Sequence, residues 1–366
     1  MTRVALLTPT YWPEVRRGTE RFAHEVGVGL TERGDDVTIV TSHKGRPATA
    51  TEDGMRVIRN WRPPDGRLRR RMFEDYLTHV PSAYLSLRRG DYDVANALFP
   101  SDGVAAARWS CETGRPAVLS YMGIPDRRSL VDRRWRIRIT QDAIAGARAV
   151  VALSKAAQDA FARWLGVQAR QIYPPVDVET FTPGGQRAPE PTIICAGDLC
   201  EPRKRVPLLI EAFARVRRER PTARLLLDRP RDAAVAARVV GDAPGVDLVD
   251  IDDRIALRDA YRRTWVSALP SFGEAFGLVL AEAMGCGTPV VGAREGGMPE
   301  IVDSDAVGRI FDEAEPPAVA RALLEALELA EDPATPAACR ARAEHFSRAR
   351  CVDQYQSLYQ DIGAAR

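Results

Sequence analysis

The chain has 366 residues, 45% of them hydrophobic and 28% charged, with a formal net charge of +2. That length exceeds one ordinary core and predicts two domains, and the composition is that of a soluble globular protein. A charge so near zero predicts no bulk affinity for nucleic acid, and no apolar run reaches the ~18–20 residues of a membrane span.

The apolar start of MTRVALLTPTYWPEV is soon interrupted by prolines and does not read as a secretory signal, so cytoplasmic location is the expectation. Short β-type runs at Arg3–Leu7, Val37–Thr41, Val94–Leu98, Ala117–Tyr121 and Ala149–Leu153 read as buried parallel strands. Thr19–Arg33 fits a helix with Phe22, Val26, Gly29 and Leu30 on one face and Gly34 closing it. Ser154 caps another that stops at Gly166. Prolines and glycines from Tyr173 to Pro191 then break the pattern and mark a domain boundary. Alternation restarts with strands at Thr192–Ala196, Arg224–Asp228, Val246–Val249, Val266–Leu269 and Pro289–Val291. Helices are predicted at Val206–Arg218, Pro316–Leu329 and Thr335–Phe346. Two βαβ series predict an α/β protein with two doubly wound domains. Open sheets of this kind bind ligands beyond the carboxyl ends of their strands, so two facing sheets would put a site in a central cleft.

Residues 271–302, SFGEAFGLVLAEAMGCGTPVVGAREGGMPEIV, are the most informative stretch. A helix starting near Gly277 leaves Glu274 on the preceding loop and carries Glu282 inward. The free N–H groups at such a start can hold an anion. Two carboxylates beside an anion hole suit a ligand with both hydroxyls and phosphate. Only Lys44, Lys155 and Lys204 among the 52 basic residues are lysines, which makes Lys204 informative. Positive charge at Arg203 and Lys204 opposes the dipole of the helix that follows and so asks for another reason to be there.

Together with VALSKAAQDAF, the YPPVDVETFTP linker and PRKRVPLLIEAF, this segment resembles retaining glycosyltransferase family 4. The resemblance implies the GT-B fold, two Rossmann-like domains. Residues 1–173 plus 347–366 would form an acceptor-binding domain, with a last helix around Arg348–Ile362 crossing back to it. Residues 174–346 would form the nucleotide-sugar-binding domain, with the proline-rich linker as a hinge. It implies an enzyme (EC 2.4) that moves a hexosyl or deoxysugar group, with retention, from a nucleotide diphosphate-sugar to a hydroxyl of a lipid, saccharide or natural-product acceptor. The uridine donor is the family's commonest, and the nucleotide-sugar is a co-substrate rather than a cofactor.

By the same resemblance, Glu274 holds hydroxyls of the donor sugar, helped by backbone at Ala275, Phe276 and Gly277. Leu278 and Val279 offer N–H groups to the diphosphate, and Glu282 accepts from the ribose. Arg203 and Lys204 hold the diphosphate and stabilise the leaving group, so that Glu274, Lys204 and Arg203 carry the chemistry. Gly18, after Arg17, stands where relatives carry a Gly–Gly turn near the donor phosphate. Two positions depart from the family. Gly197–Asp198 replaces Gly–Arg, so that either Arg203, Arg205 or Arg229 compensates or the donor sits differently. Met122 replaces a histidine that contacts the sugar near its sixth carbon, which suggests a 6-deoxysugar or pentose. Rival readings are a GT-B-like sugar phosphorylase or nucleotide-sugar hydrolase, or a catalytically silent sugar-nucleotide-binding subunit.

Asp91–Tyr92–Asp93 and Asp250–Ile251–Asp252 match a metal-binding DxD pattern but arise readily by chance, and metal dependence is not predicted. Six cysteines (Cys111, Cys195, Cys200, Cys286, Cys339 and Cys351) without a CxxC pair predict reduced, buried thiols. Arg67–Met72 and Arg127–Ile139 interleave arginine with apolar residues. On helices these are either solvated faces, the simpler reading, or peripheral contacts with an anionic membrane or acceptor. The sequence leaves oligomeric state open.

Overall fold

A computed structural model describes residues 1–15, 17–230 and 232–364. The chain divides into one unit of residues 1–175 with 348–366 and a second of residues 176–347. Residues 365 and 366, part of the returning segment expected in the first domain, lie outside the described residues.

Unit 1 is built on β1 (Arg3–Leu7), β2 (Asp36–His43), β3 (Ala48–Glu52), β4 (Met55–Trp61), β5 (Val94–Ala97), β6 (Ala117–Tyr121), β7 (Ala149–Ala152) and β8 (Arg170–Gln171). The sheet order is β3-β4-β2-β1-β5-β6-β7-β8, and every pairing is parallel except β3 with β4. The central strands are short runs of Val, Ile, Leu and Ala because helices cover both faces, leaving no polar side to alternate with. β3 and β4 are a hairpin that the periodicity does not announce, since all but one residue of β3 faces solvent. Their link, Asp53–Gly54, has φ of 47° and 78°. That is the left-handed pair a tight hairpin turn demands, and Asp-Gly is its usual sequence.

The helix Gly18–Glu32 packs closely on its neighbours. A Cβ on Gly29 would lie 2.5 Å from Val352 Cγ2, so the glycine lets the helix Arg348–Ala364 approach. That last helix belongs to unit 1. Buried hydroxyls fix it to the sheet: Tyr355 Oη meets Ser120 Oγ at 2.9 Å, and Asn96 Nδ2 donates to Tyr359 Oη at 2.9 Å. Ser120 also donates to Asn96 Oδ1 at 2.8 Å, so the chain of buried polar groups is closed rather than left orphaned.

Unit 2 carries β9 (Thr192–Cys195), β10 (Arg224–Asp228), β11 (Val246–Val249), β12 (Val266–Leu269), β13 (Val290–Ala293) and β14 (Gly308–Phe311). All are parallel, in the order β11-β10-β9-β12-β13-β14. The direction of winding reverses between β9 and β12. Such a switch opens a crevice outside the carboxyl ends of the two strands.

Three expectations need correction. Residues 127–135 form turns, and a helix starts only at Arg136. The other arginine run has a five-residue helix, Gly66–Arg70, too short to present a regular face. Cys111 and Cys200 are exposed, while the other four thiols are buried. Among the described residues no helix is long and apolar enough to cross a membrane.

Candidate active site

The loops that leave β9 and β12, on either side of the switch, meet each other in unit 2. The first carries Pro202–Lys204, a single 3₁₀ turn that ends at Arg205 with φ of 50°. Pro207 in the first turn of the next helix fits because a helix start leaves that N–H unused. The second loop carries Ser271–Gly277. Backbone joins the two, since Phe272 N–H donates to the Arg203 carbonyl at 3.0 Å.

Side chains complete the junction. Lys204 Nζ donates to Glu274 Oε2 at 2.8 Å, and Arg203 Nη1 donates to the same oxygen at 3.0 Å. Arg203 is steadied by Glu201, whose Oε1 lies 2.9 Å from its Nε. The side chains of Lys204 and Glu274 are only 15% and 16% exposed, so the pairing is well shielded from water. Burial pushes the Glu274 carboxyl up, but the charges of Lys204 and Arg203 outweigh it and hold the group below the usual glutamate range.

Glycines set the path of the second loop. Gly277 has φ of 107° and caps the helix Leu278–Gly285. Gly297, whose N–H donates to the Glu274 carbonyl at 2.9 Å, leaves no room for a side chain. A Cβ there would lie 2.5 Å from the Ala275 oxygen and 2.8 Å from Phe276 Cα. Ala275 and Phe276 are buried, with Phe276 edge-on to Phe346 at a centroid distance of 5.0 Å. The helix start therefore sits on a rigid support with Leu278 and Val279 half-exposed above it. Glu282, one turn further, is buried.

The structure thus brings together Arg203, Lys204, Glu274, Ala275, Phe276, Gly277, Leu278 and Val279, with Glu282 deeper on the same helix. Glu201 and Gly297 are missed by the sequence reading. The Gly296–Gly297 pair was a signal, since adjacent glycines often mark a close backbone approach. Of the three arginines offered as substitutes at position 198, Arg203 is at the junction. Arg205 lies over the Phe272 ring at 4.8 Å and reaches Glu295 at 3.2 Å. Arg229 is directed away, to Asp250 at 3.0 Å and the Leu248 carbonyl.

Asp198 is exposed and accepts the Cys200 N–H at 2.8 Å. It joins a group of carboxylates at the strand ends. Asp228, at the end of β10, is pushed up to about 6 by burial and by the charges of Asp252, Asp198 and Asp250. Asp91 and Asp93, the other aspartate doublet, are neutralised by Arg3 and Arg115. Hydrogen bonds from Arg3, above all, hold Asp93 down to about 2. Among the described residues no three His, Cys, Asp or Glu side chains are grouped to hold a metal ion.

Gly18 lies in unit 1, at the start of the helix after β1. A Cβ there would meet nothing within 4 Å, so the protein's own packing does not require glycine. Its neighbour Arg17 donates its N–H to Glu20 Oε2 at 3.1 Å, which closes the helix start. Met122 follows β6 and is half-buried.

Two doubly wound units, one with cations and a carboxylate converging at its switch point, define a GT-B glycosyltransferase fold. Solved structures with this likeness include sucrose-phosphate synthase from Thermosynechococcus elongatus, at a TM-score of 0.83 and 20% identity over 100% of both chains. Another is Anabaena Alr3699/HepE in complex with UDP-glucose, at 0.76 and 19% over 99% of this chain and 100% of that one. At these identities the likeness shows the fold. The family model for glycosyltransferase family 4 matches residues 16–180, and that for glycosyl transferases group 1 matches residues 190–329. The chain belongs to these glycosyltransferases. Among relatives, the D-inositol 3-phosphate glycosyltransferase of Mycobacterium sp. (strain JLS) is 33% identical over 158 residues, 38% of this chain and 35% of that protein. The protein of the same name from Thermobifida fusca (strain YX) is 28% identical over 82% of this chain and 78% of its own length. The alignment thus spans about a third of the mycobacterial relative.

Proposed function

We propose that the chain transfers a sugar from a nucleotide diphosphate-sugar to an acceptor hydroxyl with retention at the anomeric carbon. The observation that carries this reading is the convergence of Lys204 and Arg203 on Glu274 beside the open start of the helix Leu278–Gly285. Without ligand Lys204 is neutralised by Glu274, and Arg203 by Glu274 together with Glu201. An arriving diphosphate offers both cations a further anion and takes its remaining hydrogen bonds from the Leu278 and Val279 N–H groups. Glu274, no longer shared so tightly, then accepts from the hydroxyls of the sugar, while Glu282 takes the ribose hydroxyls.

Bond breaking between the anomeric carbon and the phosphate oxygen places negative charge on the departing diphosphate. Lys204 and Arg203 stabilise that charge where it develops. The acceptor oxygen bonds to the anomeric carbon on the face the diphosphate leaves, and its proton passes to the leaving phosphate oxygen. No protein nucleophile and no metal is needed for this balance. Unit 1 is proposed to bind the acceptor, with the open backbone at Gly18 available to a ligand. A UDP-sugar is the preferred donor in this reading, supported by the UDP-glucose complex of HepE. The relatives named for D-inositol 3-phosphate add a phosphorylated polyol to the lipid, saccharide and natural-product acceptors considered. Met122 points to a donor sugar without a polar group at its sixth carbon.

Thermal-shift measurements with UDP, GDP, TDP and their sugars test the donor, because ligand binding raises stability in proportion to affinity. Proton NMR of the product then reads the anomeric configuration. Stabilisation by no nucleotide diphosphate, or an inverted product, overturns the reading. A clear preference for glucose-type over 6-deoxy and pentose donors removes the inference from Met122 alone.

A further inference from the structure

We infer that the surface formed by the two arginine-rich segments of unit 1 is a docking site for an anionic lipid bilayer. The segments are far apart in sequence and are stitched together in space. Phe73 and Arg134 form a parallel bridge, and the Glu74 N–H donates to the Arg134 carbonyl at 3.1 Å while the Arg134 N–H donates to the Met72 carbonyl at 2.6 Å. Arg136 adds an ion pair with Glu74, and Asp75 faces Arg69 at 3.2 Å.

This scaffold exposes apolar side chains that a globular surface ordinarily hides. Met72 is 49% exposed, Val131 65%, Trp135 59% and Ile137 40%. Met72 and Trp135 flank the bridge, and both hold left-handed backbone, with φ of 59° and 69°. Bulky residues adopt that conformation at a cost, so the fold holds two large apolar side chains outward in a strained backbone. Trp135 keeps one edge on Phe73, at a centroid distance of 4.7 Å, and presents the rest to solvent.

The same segments are rich in charge. Segments 65–75 and 126–142 hold ten arginines against six acidic residues, and the whole chain carries only +2. The acidic residues are largely spent within the scaffold: Glu74 and Asp132 on Arg136, Asp75 on Arg69 and Arg133, and Asp142 on Arg138. Arg67, Arg70, Arg71 and Arg127 are exposed and have no acidic partner among the described residues. Exposed aromatic and aliphatic side chains on the same two bridged segments as unpaired arginine match the interface of a bilayer, where the apolar parts enter the headgroup boundary and guanidinium groups meet phosphate. A soluble anion would use the arginines but would leave Met72, Val131, Trp135 and Ile137 in water.

The test is co-sedimentation of the full chain with vesicles of phosphatidylcholine alone or mixed with phosphatidylglycerol, at low and high salt. Binding is expected to the mixed vesicles only and to weaken with salt. Arg70→Glu with Arg71→Glu is expected to lower it by about tenfold or more. Met72→Ser with Trp135→Ser is expected to lower it by a similar factor, with the thermal shift from UDP unchanged in both variants. Brominated phosphatidylglycerol should quench tryptophan fluorescence in the parent and not in Trp135→Phe, which keeps a ring against Phe73. Equal binding to both vesicle types, no quenching, or sedimentation unaffected by either double variant overturns the proposal. So does binding to soluble polyphosphate with no binding to vesicles.

Discussion

Replacing Glu274 with glutamine keeps the shape of the side chain and removes the charge that Lys204 and Arg203 share. Exposed ion pairs contribute about 0–1 kcal/mol, and removing one partner of a fully buried pair costs about 3–5 kcal/mol. Glu274 and Lys204 lie between these limits, as does Arg203 with 31% side-chain exposure. A cost of about 2 kcal/mol follows, which for a unit of this size lowers Tm by about 4–8 °C. With Lys204 stripped of its counterion and Arg203 left with Glu201 alone, the pair also binds a diphosphate more readily, so UDP should raise the Tm of Glu274→Gln by at least as much as that of the parent. Transfer moves the other way. A charge-assisted hydrogen bond to the sugar contributes about 1.5–3 kcal/mol, and its loss lowers kcat/KM by about ten- to a hundredfold. The Glu274 carboxyl sits below its ordinary value of 4.5, so its contribution is full above that value and is lost as pH falls through the lower folded value. The melting difference between parent and variant should therefore close in strongly acidic buffer. Differential scanning fluorimetry with and without UDP, together with initial rates of donor consumption in the presence of acceptor, makes the comparison. Turnover within twofold of the parent, with an unchanged Tm at neutral pH, would refute the reasoning.

Lys204→Ala leaves Glu274 paired with Arg203, so folding should be nearly unaffected while turnover drops well over tenfold; a rate near that of the parent removes Lys204 from the mechanism. Asp228 titrates at about 6 against an ordinary 3.8, so ionising it opposes folding, and stability falls as pH rises through that window. Asp228→Asn should therefore raise Tm at pH values above the window and give no gain below it, as thermal melts across pH will show. Gly297→Ala drives a Cβ to 2.5 Å from the Ala275 carbonyl, where only backbone can yield. It should both destabilise unit 2, by about 1–3 kcal/mol in urea unfolding, and lower turnover by displacing Glu274.

Most of the fold is legible because the central strands are buried on both faces. Val4 to Leu7, Ile193 to Cys195 and Val290 to Val291 read as unbroken apolar runs and lie in the sheet cores. β3 and β14 show the limit of that signal. β3, Ala48–Glu52, is an edge strand with its side chains mostly in water, and only the Asp53–Gly54 turn betrays it. β14, Gly308–Phe311, is an edge strand beside β13 whose sequence, GRIF, carries an arginine and only two apolar residues in a row, so no unbroken apolar run marks it. The arginine runs misled for a different reason. Their spacing suits helices, but the bridge between Phe73 and Arg134 is a contact across 61 positions of sequence, and the chain beside it, at 71–72 and 127–135, runs as turns rather than helix.

Glu274 and Lys204 could be singled out in the sequence by rarity and context, since one stands in a long signature and the other is among three lysines. The grouping of nearby carboxylates could not be read there. Asp198 follows β9, Asp228 ends β10 and Asp250 follows β11, and these become neighbours only once the order β11-β10-β9 is known. One aspartate doublet read as chance therefore belongs to an acidic rim, and Asp198 extends that rim where relatives place an arginine. The consequence is a local field with two ends. Negative charge gathers on the β9–β11 side, and Lys204 with Arg203 lies on the β9–β12 side. A diphosphate entering unit 2 is repelled from the first and drawn to the second, so the rim narrows where the anion can rest. If the proposed donor site is right, Asp198 restricts the phosphate clamp to Lys204, Arg203 and the helix start at Gly277, and those groups must hold the leaving charge without help from position 198.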